Sequence, residues 1–163
     1  MEDIKQKVYD ALEAAGICYS LKEHEAAFTI EQIDAMGIDD KGEIAKNLFL
    51  RNDNGKQHYL IVVRKDKTAD LKSIREKIGS SRLSFASEER LFKHMGLKKG
   101  SVSPLGILND GERHIKVYID RDLMALQRIG VHPNENTATV FLKPEELIRI
   151  IKEHGNEVSI IDI

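Results

Sequence analysis

Residues 48–64 read LFLRNDNGKQHYLIVVR, and this stretch decides the fold. Two apolar runs, Leu48–Arg51 and His58–Arg64, flank the segment Asn52–Gly55. An Asn-Gly pair accepts the positive φ angles that tight turns require, and the flanking β-branched and aromatic residues favour strands. The stretch therefore predicts a β-hairpin.

Helical patterns lie on both sides of this hairpin. Apolar residues recur at helical spacing before Gly16, and Ser87 caps a segment that ends at Gly96. Thr29 and Gln32 form a capping box that predicts a short helix. The predicted helices are residues 3–15, 29–37, 71–78 and 87–96, and a last helix that begins at Pro144.

A second hairpin is predicted further along the chain. Ile107-Leu108 and His114–Ile119 flank the turn sequence Asn109-Asp110-Gly111. Further strands are predicted at Ile17–Leu21 and Thr137–Leu142. Because two hairpins favour antiparallel pairing, the predicted fold class is α+β, with a mixed, largely antiparallel sheet flanked by helices.

Composition limits the class of protein. The chain has 163 residues, of which 41% are hydrophobic and 32% charged, so we expect one domain spanning residues 1–163. Its 25 Lys plus Arg and 27 Asp plus Glu give a net charge of -2, which argues against bulk electrostatic binding of nucleic acid. With no signal sequence and no run of roughly 20 apolar residues, we expect a cytoplasmic monomer without membrane contact.

The motifs of the common enzyme classes do not occur in the sequence. There is no GxxxxGK[ST] phosphate loop, no GxGxxG, no HExxH, no CxxC and no GxSxG. The six histidines lie far apart along the chain, and there is one cysteine. The sequence therefore predicts no metal site and no cofactor.

Three segments carry residue types that strand or loop propensity alone does not explain, so each is a candidate for a functional role. Lys46 and Asn47 directly precede an apolar strand, and this lysine either faces a cleft or snorkels at a strand start. The small residues of Gly100–Gly106 leave backbone N–H groups that can stabilise an oxyanion, although an ordinary loop looks similar. His132 precedes Pro133, which favours extended backbone, and this histidine is either functional or inert.

In this order, these segments resemble the YbaK/ProX family of aminoacyl-tRNA editing domains, which also occurs as an insertion domain in bacterial prolyl-tRNA synthetases. The resemblance covers nearly the whole chain. It is carried by HEAAFT at 24–29, KNLFLR at 46–51, RLSFA at 82–86, GSVSPLG at 100–106, and His132-Pro133 with Asn136-Thr137. Many relatives carry an apolar residue after the His-Pro pair, where this chain has Asn134. The resemblance implies a partly barrel-like sheet flanked by helices and no metal or organic cofactor.

Within the family, the chain looks most like the free-standing deacylases of alanyl-tRNA(Pro). The resemblance implies that Lys46 positions the 3′ end of the tRNA and that amides around Gly100 and Ser101 stabilise the oxyanion. The implied substrate-binding residues are Asn47, Val102, Ser103, Pro104, His132 and Asn136. The implied partner is the acceptor end of tRNA(Pro) carrying a small amino acid, and prolyl-tRNA synthetase is a further candidate.

Two alternatives stay open at this point. One is the sister activity on Cys-tRNA(Pro), in which the thiol of the substrate attacks its own ester. The other is a non-catalytic module that binds aminoacyl-tRNA or a synthetase. Residues 64–77 hold six basic side chains and three acidic ones, which predicts either an acceptor-stem contact or a solvated helix surface.

Overall fold

The structure is a computed structural model, and it describes residues 3–26 and 43–163. Within these ranges the helices are α1 (Ile4–Ala14), α2 (Leu71–Ile78), α3 (Glu88–Met95) and α4 (Pro144–His154). The strands are β1 (Tyr19–Glu23), β2 (Glu43–Arg51), β3 (His58–Arg64), β4 (Ser84–Phe85), β5 (Lys116–Asp120), β6 (Ile129–Val131), β7 (Ala138–Leu142) and β8 (Val158–Ile161). Two 3-10 helices, Pro104–Asn109 and Arg121–Ala125, flank β5. The helix predicted for residues 29–37 lies outside the described residues.

Local chemistry explains where most of the elements begin and end. The first hairpin is confirmed, with β2 and β3 antiparallel and Arg51 opposite His58. Ser87 caps α3 by accepting a hydrogen bond from the Arg90 amide, and Gly96 ends that helix at a φ of 65°. The predicted first, third, fourth and last helices are likewise confirmed.

The strands of the described ranges form one mixed sheet in the order β1-β7-β6-β2-β3-β5-β8, with β4 also paired to β2. Antiparallel pairs join β1 to β7, β6 to β7, β2 to β3 and β2 to β4. Parallel pairs join β2 to β6, β3 to β5 and β5 to β8. The predicted fold class is therefore confirmed, but β1 and β8 stay at opposite ends of the order and the sheet is not closed into a barrel.

The second predicted hairpin is wrong. Ile107 and Leu108 belong to a 3-10 helix, and β5 pairs in parallel with β3 and β8 rather than with a preceding strand. The Asn109-Asp110-Gly111 turn ends the 3-10 helix, because the Asp110 amide donates to the Ile107 carbonyl at 2.9 Å. The Asp110 carboxylate then accepts from the Ile115 amide at 2.9 Å, which directs the chain into β5.

The sheet carries a hydrophobic core on each face. The main core lies between the sheet and α1, α3 and α4, and on β2 it includes Ala45 and Phe49. A second core holds Ile74 of α2 against Leu48 and Leu50. Because side chains alternate along a strand, β2 presents odd-numbered residues to the main core and even-numbered residues to the opposite face. We call these the core face and the site face.

No helix within the described ranges is long and apolar enough to cross a membrane.

A buried carboxylate holds the ends of β3 and β5 together. Asp120 is 0% exposed. It accepts hydrogen bonds from the Arg64 amide at 3.1 Å, the Asp122 amide at 3.1 Å and Lys67 Nζ at 2.9 Å. Lys67 Nζ also pairs with the Asp122 carboxylate at 2.7 Å, which leaves the ammonium well compensated.

Replacing this carboxylate should be costly. We predict that Asp120→Ala lowers the free energy of unfolding by roughly 2–4 kcal/mol, because buried donors lose their acceptor. Asp162→Ala is the matched control, since its ion pair with Arg121 joins side chains that are 60% and 76% exposed. Urea denaturation should show a loss below about 0.5 kcal/mol for that control. Equal losses in the two variants would contradict the role assigned to Asp120.

Candidate functional site

A split in the sheet lies beside β2. On one edge, β2 pairs with β6 only at Glu43 and Ile44, and with β4 only at Leu50 and Arg51. The intervening stretch, residues 45–49, has no strand partner on this edge within the described ranges, while β3 covers the other edge continuously. Since β6 runs parallel to β2 and ends at Val131, the chain that follows it leaves the sheet beside this gap. We call the gap between β6 and β4 the split.

The site face beside the split has a tightly packed floor. A Cβ atom at Gly130 of β6 would lie 2.6 Å from Ile44 Cδ1, 2.8 Å from Phe141 Cε1 and 3.1 Å from Thr139 Cγ2. Glycine is therefore required here, because these side chains already fill the space above its backbone. Thr139 is 1% exposed, so a polar hydroxyl lies within this apolar floor.

Two histidines lie over this floor. His24 Nε2 hydrogen bonds Thr139 Oγ1 at 2.9 Å, and its ring centroid lies 6.4 Å from that of His132. His132 Nδ1 donates to the Ala138 carbonyl at 3.0 Å, so the neutral ring has its lone pair on Nε2. Burial lowers the pKa of His132, the Ala138 carbonyl opposes that effect, and His24 lowers the pKa further. His132 is thus an uncharged acceptor at neutral pH.

Lys46 and Asn47 project from opposite faces of β2. Lys46 shares the site face with Ile44, and its Nζ donates to the Lys67 carbonyl at 2.5 Å. An ammonium has three N–H donors, so this bond leaves capacity for a ligand. Asn47 lies on the core face, where its Nδ2 reaches the Val102 carbonyl at 3.5 Å, the long end of a hydrogen bond.

The Gly100–Ser103 loop is anchored on both sides of the split. Besides the contact with Asn47, Ser103 Oγ donates to the His132 carbonyl at 2.6 Å. Ser103 is 0% exposed, and its Oγ also accepts from the Leu105 amide at 3.2 Å, which begins the 3-10 helix at Pro104. Gly100 has a φ of 89°, a left-handed conformation that favours glycine.

The loop does not offer all of its backbone amides to a ligand. The Ser101 amide donates to the Lys98 carbonyl at 3.0 Å and is therefore occupied. The amides of Gly100, Val102 and Ser103 have no hydrogen-bond acceptor within the part of the chain that the structure describes. These three donors, rather than the Ser101 amide, are the candidates for stabilising an oxyanion.

The structure brings some of the sequence-predicted site residues together. Hydrogen bonds join the Gly100–Ser103 loop to Asn47 and to the His132 carbonyl, and Pro104 is buried as the first residue of the 3-10 helix. Lys46 lies beside Asn47 in β2, but its side chain projects from the other face and bonds the Lys67 carbonyl. Asn136 is 9% exposed and lies in the turn that joins β6 to β7. No sequence pattern points to Gly130 or Thr139, because their roles depend on packing between strands that are remote along the chain.

Asn134 supports the turn that follows Pro133. Its φ is 64°, in the left-handed region that asparagine tolerates better than apolar residues do. It is 6% exposed, and its Nδ2 donates to the Leu105 carbonyl at 3.3 Å. This side chain therefore ties the turn after Pro133 to the 3-10 helix.

The basic stretch at 64–77 divides into engaged and available side chains. Arg64 pairs with Glu43 at 3.5 Å and Asp66 at 3.1 Å, and Lys67 pairs with Asp120 and Asp122. Lys72 and Arg75 instead line a groove of about 330 Å³, together with Arg82 from beyond this stretch and with Leu71 and Leu83. Because α2 packs on the site face, this basic groove lies on the same side of the sheet as Lys46.

The open mixed sheet, with a glycine-serine loop anchored at a split beside β2, defines an α+β domain with a polar cleft at the sheet. The sequence model of the aminoacyl-tRNA editing domain matches residues 24–150. The chain therefore belongs to the aminoacyl-tRNA editing domain family, as the resemblance predicted.

Individual relatives agree with this assignment. The chain is 46% identical over 161 residues to a prolyl-tRNA editing protein ProX of Acetoanaerobium sticklandii, covering 99% of this chain and 98% of that protein. It is 29% identical over 153 residues to prolyl-tRNA synthetase associated domain-containing protein 1 of Danio rerio, covering 93% and 83%. A solved structure described as a candidate trans-editing enzyme for prolyl-tRNA synthetase superposes with a TM-score of 0.74 at 23% identity, over 100% of this chain and 99% of that one. This superposition supports the fold.

The anchoring role of Ser103 can be tested by its effect on stability. We predict that Ser103→Ala lowers the free energy of unfolding by about 1–2 kcal/mol, because the His132 carbonyl and the Leu105 amide lose their partner. Ser159→Ala, at an exposed position of β8, should change it by less than about 0.5 kcal/mol in the same urea titration. A Ser103→Ala protein as stable as the control would show that the loop is held by other contacts.

Proposed function

We propose that this chain is a trans-editing hydrolase that cleaves the aminoacyl ester of mischarged alanyl-tRNA(Pro), releasing alanine and free tRNA. The observation that carries the proposal is the loop at the split. Hydrogen bonds hold this loop to Asn47 of β2 and to the His132 carbonyl after β6, and three of its backbone amides have no acceptor within the described residues. Such fixed donors suit a reaction in which negative charge develops on a carbonyl oxygen.

The chemistry follows from these groups. Water attacks the ester carbonyl carbon, and the tetrahedral oxyanion accepts hydrogen bonds from the amides of Gly100, Val102 and Ser103. The bond from carbon to the ribose oxygen then breaks, and that oxygen takes up a proton as alanine leaves. An aminoacyl ester is an activated substrate, so positioning and oxyanion stabilisation supply the main rate enhancement.

Lys46 and His132 hold the two ends of the substrate in this proposal. The Lys46 ammonium is a point charge suited to a phosphate or ribose at the 3′ end of the tRNA. His132 Nε2 can accept a hydrogen bond from the α-ammonium group of the amino acid, because its Nδ1 proton is engaged by Ala138. Asn47 acts from the core face by holding the Val102 carbonyl.

Alanine is the amino acid that best explains the need for a second enzyme. A synthetic site shaped for proline cannot exclude the smaller alanine side chain, since each lost methylene costs only about 1 kcal/mol. An editing site must then admit alanine and reject proline by steric overlap. The ProX relative is itself described as a prolyl-tRNA editing protein.

The role of Lys46 gives the most direct test. We predict that Lys46→Ala lowers the rate of Ala-tRNA(Pro) deacylation about 100-fold while the protein stays folded, because the 3′ end loses its anchor. Lys116→Ala is the matched control, since Lys116 is also a strand lysine but makes a 3.6 Å ion pair with Glu157. Release of labelled alanine measures the rate, and circular dichroism checks the fold. Unchanged turnover in Lys46→Ala would remove this residue from the site.

A panel of charged tRNAs separates the proposal from its alternatives. Alanyl, cysteinyl, seryl and prolyl esters are compared without added metal. A Cys-tRNA(Pro) deacylase that relies on the thiol of its substrate should barely hydrolyse the alanyl ester. Tight tRNA binding without hydrolysis of any ester would instead indicate a non-catalytic binding module.

The basic groove beside α2 is the proposed contact for the acceptor stem. We predict that Arg75→Glu and Arg82→Glu each weaken tRNA binding about tenfold and reduce the salt dependence of log K by about one unit, because each removes a phosphate contact. Lys152→Glu on α4 is the control, since α4 packs against the opposite face of the sheet.

Filter binding at several salt concentrations measures these effects. If Arg75→Glu and Arg82→Glu lose no more tRNA affinity than Lys152→Glu does, the tRNA approaches by another surface.

We further propose that the chain acts in the cytoplasm as a monomer, with prolyl-tRNA synthetase as a candidate partner that supplies the mischarged tRNA.

A further inference from the structure

Three histidines that are remote in sequence form a compact cluster. His58 begins β3, His94 lies in α3, and His114 lies just before β5. Each offers a ring nitrogen, and these three nitrogens all lie within 4.8 Å of one another. The ring centroids are 4.2 Å apart for His58 and His94, and 5.1 Å apart for each of the other two pairs. We call these three residues the histidine cluster.

The six histidines lie too far apart along the chain for a local ligand motif, but three of them come together in the fold. Their separation along the chain says nothing about distance in the fold, because β3 and β5 pair in parallel and α3 packs against the same core face. The notion of a local ligand motif applies to ligands on one element, and this set comes from three elements.

Hydrogen bonds define the protonation of the cluster. Arg90 Nη1 donates to His58 Nε2 at 3.1 Å, so the neutral His58 ring carries its proton on Nδ1. That Nδ1 lies 2.9 Å from His114 Nε2 and donates to it. One proton thus lies between two ring nitrogens, with His58 Nδ1 as the donor and His114 Nε2 as the acceptor, and His94 lies beside them.

A metal ion can take the place of that proton. Tetrahedral Zn²⁺ with bonds of about 2.0–2.1 Å to imidazole places its ligand nitrogens about 3.3 Å apart. The 2.9 Å separation between His58 and His114 needs only a small opening to reach that distance. Hence we propose that the histidine cluster binds one divalent transition-metal ion, such as Zn²⁺, through three imidazoles and one solvent ligand.

The surroundings suit such a site. His58 is 1% exposed, which fixes one ligand rigidly, whereas His94 and His114 are only partly buried and leave a path for the ion. Burial lowers the pKa of His58 to about 4 and also lowers the pKa of His94, with neighbouring histidines adding to both effects. A lowered pKa favours the neutral imidazole of His58 and His94, which is the form that binds metal.

The site is separate from the split. Along the β2–β3 hairpin, His58 pairs with Arg51, whereas Val63 pairs with Lys46. Five residues of strand separate the two positions, which is about 16 Å. His58 also shares the core face with Phe49, on which its ring stacks at 5.4 Å, while Lys46 projects to the site face. A bound ion would tie β3, α3 and the segment before β5 together.

Arg90 influences whether His58 Nδ1 keeps its proton or binds a metal ion. When His58 Nδ1 binds an ion, the ring proton must move to Nε2, where it would face the Arg90 guanidinium. Arg90 Nη1 also donates to the Gly55 carbonyl at 2.9 Å and can turn fully to that partner. Arg90→Gln places an amide oxygen within reach of the Nε2 proton, the kind of outer acceptor that strengthens histidine ligands.

The experiment uses the full chain, stripped with EDTA and titrated with Zn²⁺ by calorimetry and with Co²⁺ by visible absorption. We expect one equivalent to bind with a Kd of about 1 µM or tighter, with the intense Co²⁺ bands of a tetrahedral site. His94→Ala and His114→Ala should each weaken binding about 100-fold. Both residues are partly exposed, so these variants should fold, and circular dichroism checks this.

His154→Ala is the matched control, because His154 lies outside the cluster and bonds Asn156 at 2.7 Å. It should bind metal as the unmodified chain does, and Arg90→Gln should bind several-fold more tightly. Absence of one-equivalent binding in the unmodified chain would overturn the proposal. So would binding that survives in both His94→Ala and His114→Ala, or binding that Arg90→Gln weakens.

Discussion

The hydrogen bond from Ser103 Oγ to the His132 carbonyl, 2.6 Å long, is the interaction on which the site depends. It joins the loop before the first 3-10 helix to the chain that leaves β6. The same hydroxyl accepts the Leu105 amide, so one buried side chain fixes the loop and starts the helix that follows. Without it, the free amides of the loop would have no fixed position relative to His132.

Much of the fold was predictable where local chemistry decides the outcome. The Asn52–Gly55 turn and the Ser87 cap need only a few neighbouring residues to act, and both predictions are confirmed. The Asn109–Gly111 turn has equally good hairpin chemistry, yet it ends a 3-10 helix. The difference lies in Asp110, whose carboxylate binds the Ile115 amide and the Asn156 side chain, a partner 46 residues away. Such a contact leaves no pattern in the nearby sequence.

For the candidate site, the resemblance names residues whose roles stay a prediction, and it says nothing about their geometry. The sequence places Lys46 beside Asn47 and suggests one shared role, whereas strand alternation sends the two side chains to opposite faces. Ser101 shows a similar limit, because its amide closes a turn on Lys98 instead of facing a ligand. Gly130 carried no signal at all. Its importance comes from Ile44 and Phe141, which meet over it only after β2, β6 and β7 have paired.

In the proposed function, the two faces of β2 have different tasks: one binds the ligand and the other supports the loop. A residue on the site face can contact a ligand without disturbing the main core, and a residue on the core face can position the loop without contacting the ligand. Because the side-chain period of a strand is two, a shift of one residue in the β2–β3 register would exchange Lys46 and Asn47 between these tasks. The seven consecutive pairs from Ala45 to Arg51 prevent that shift, and the hairpin turn sets their register. The turn that decides the fold thus also decides which side chain of β2 reaches the split.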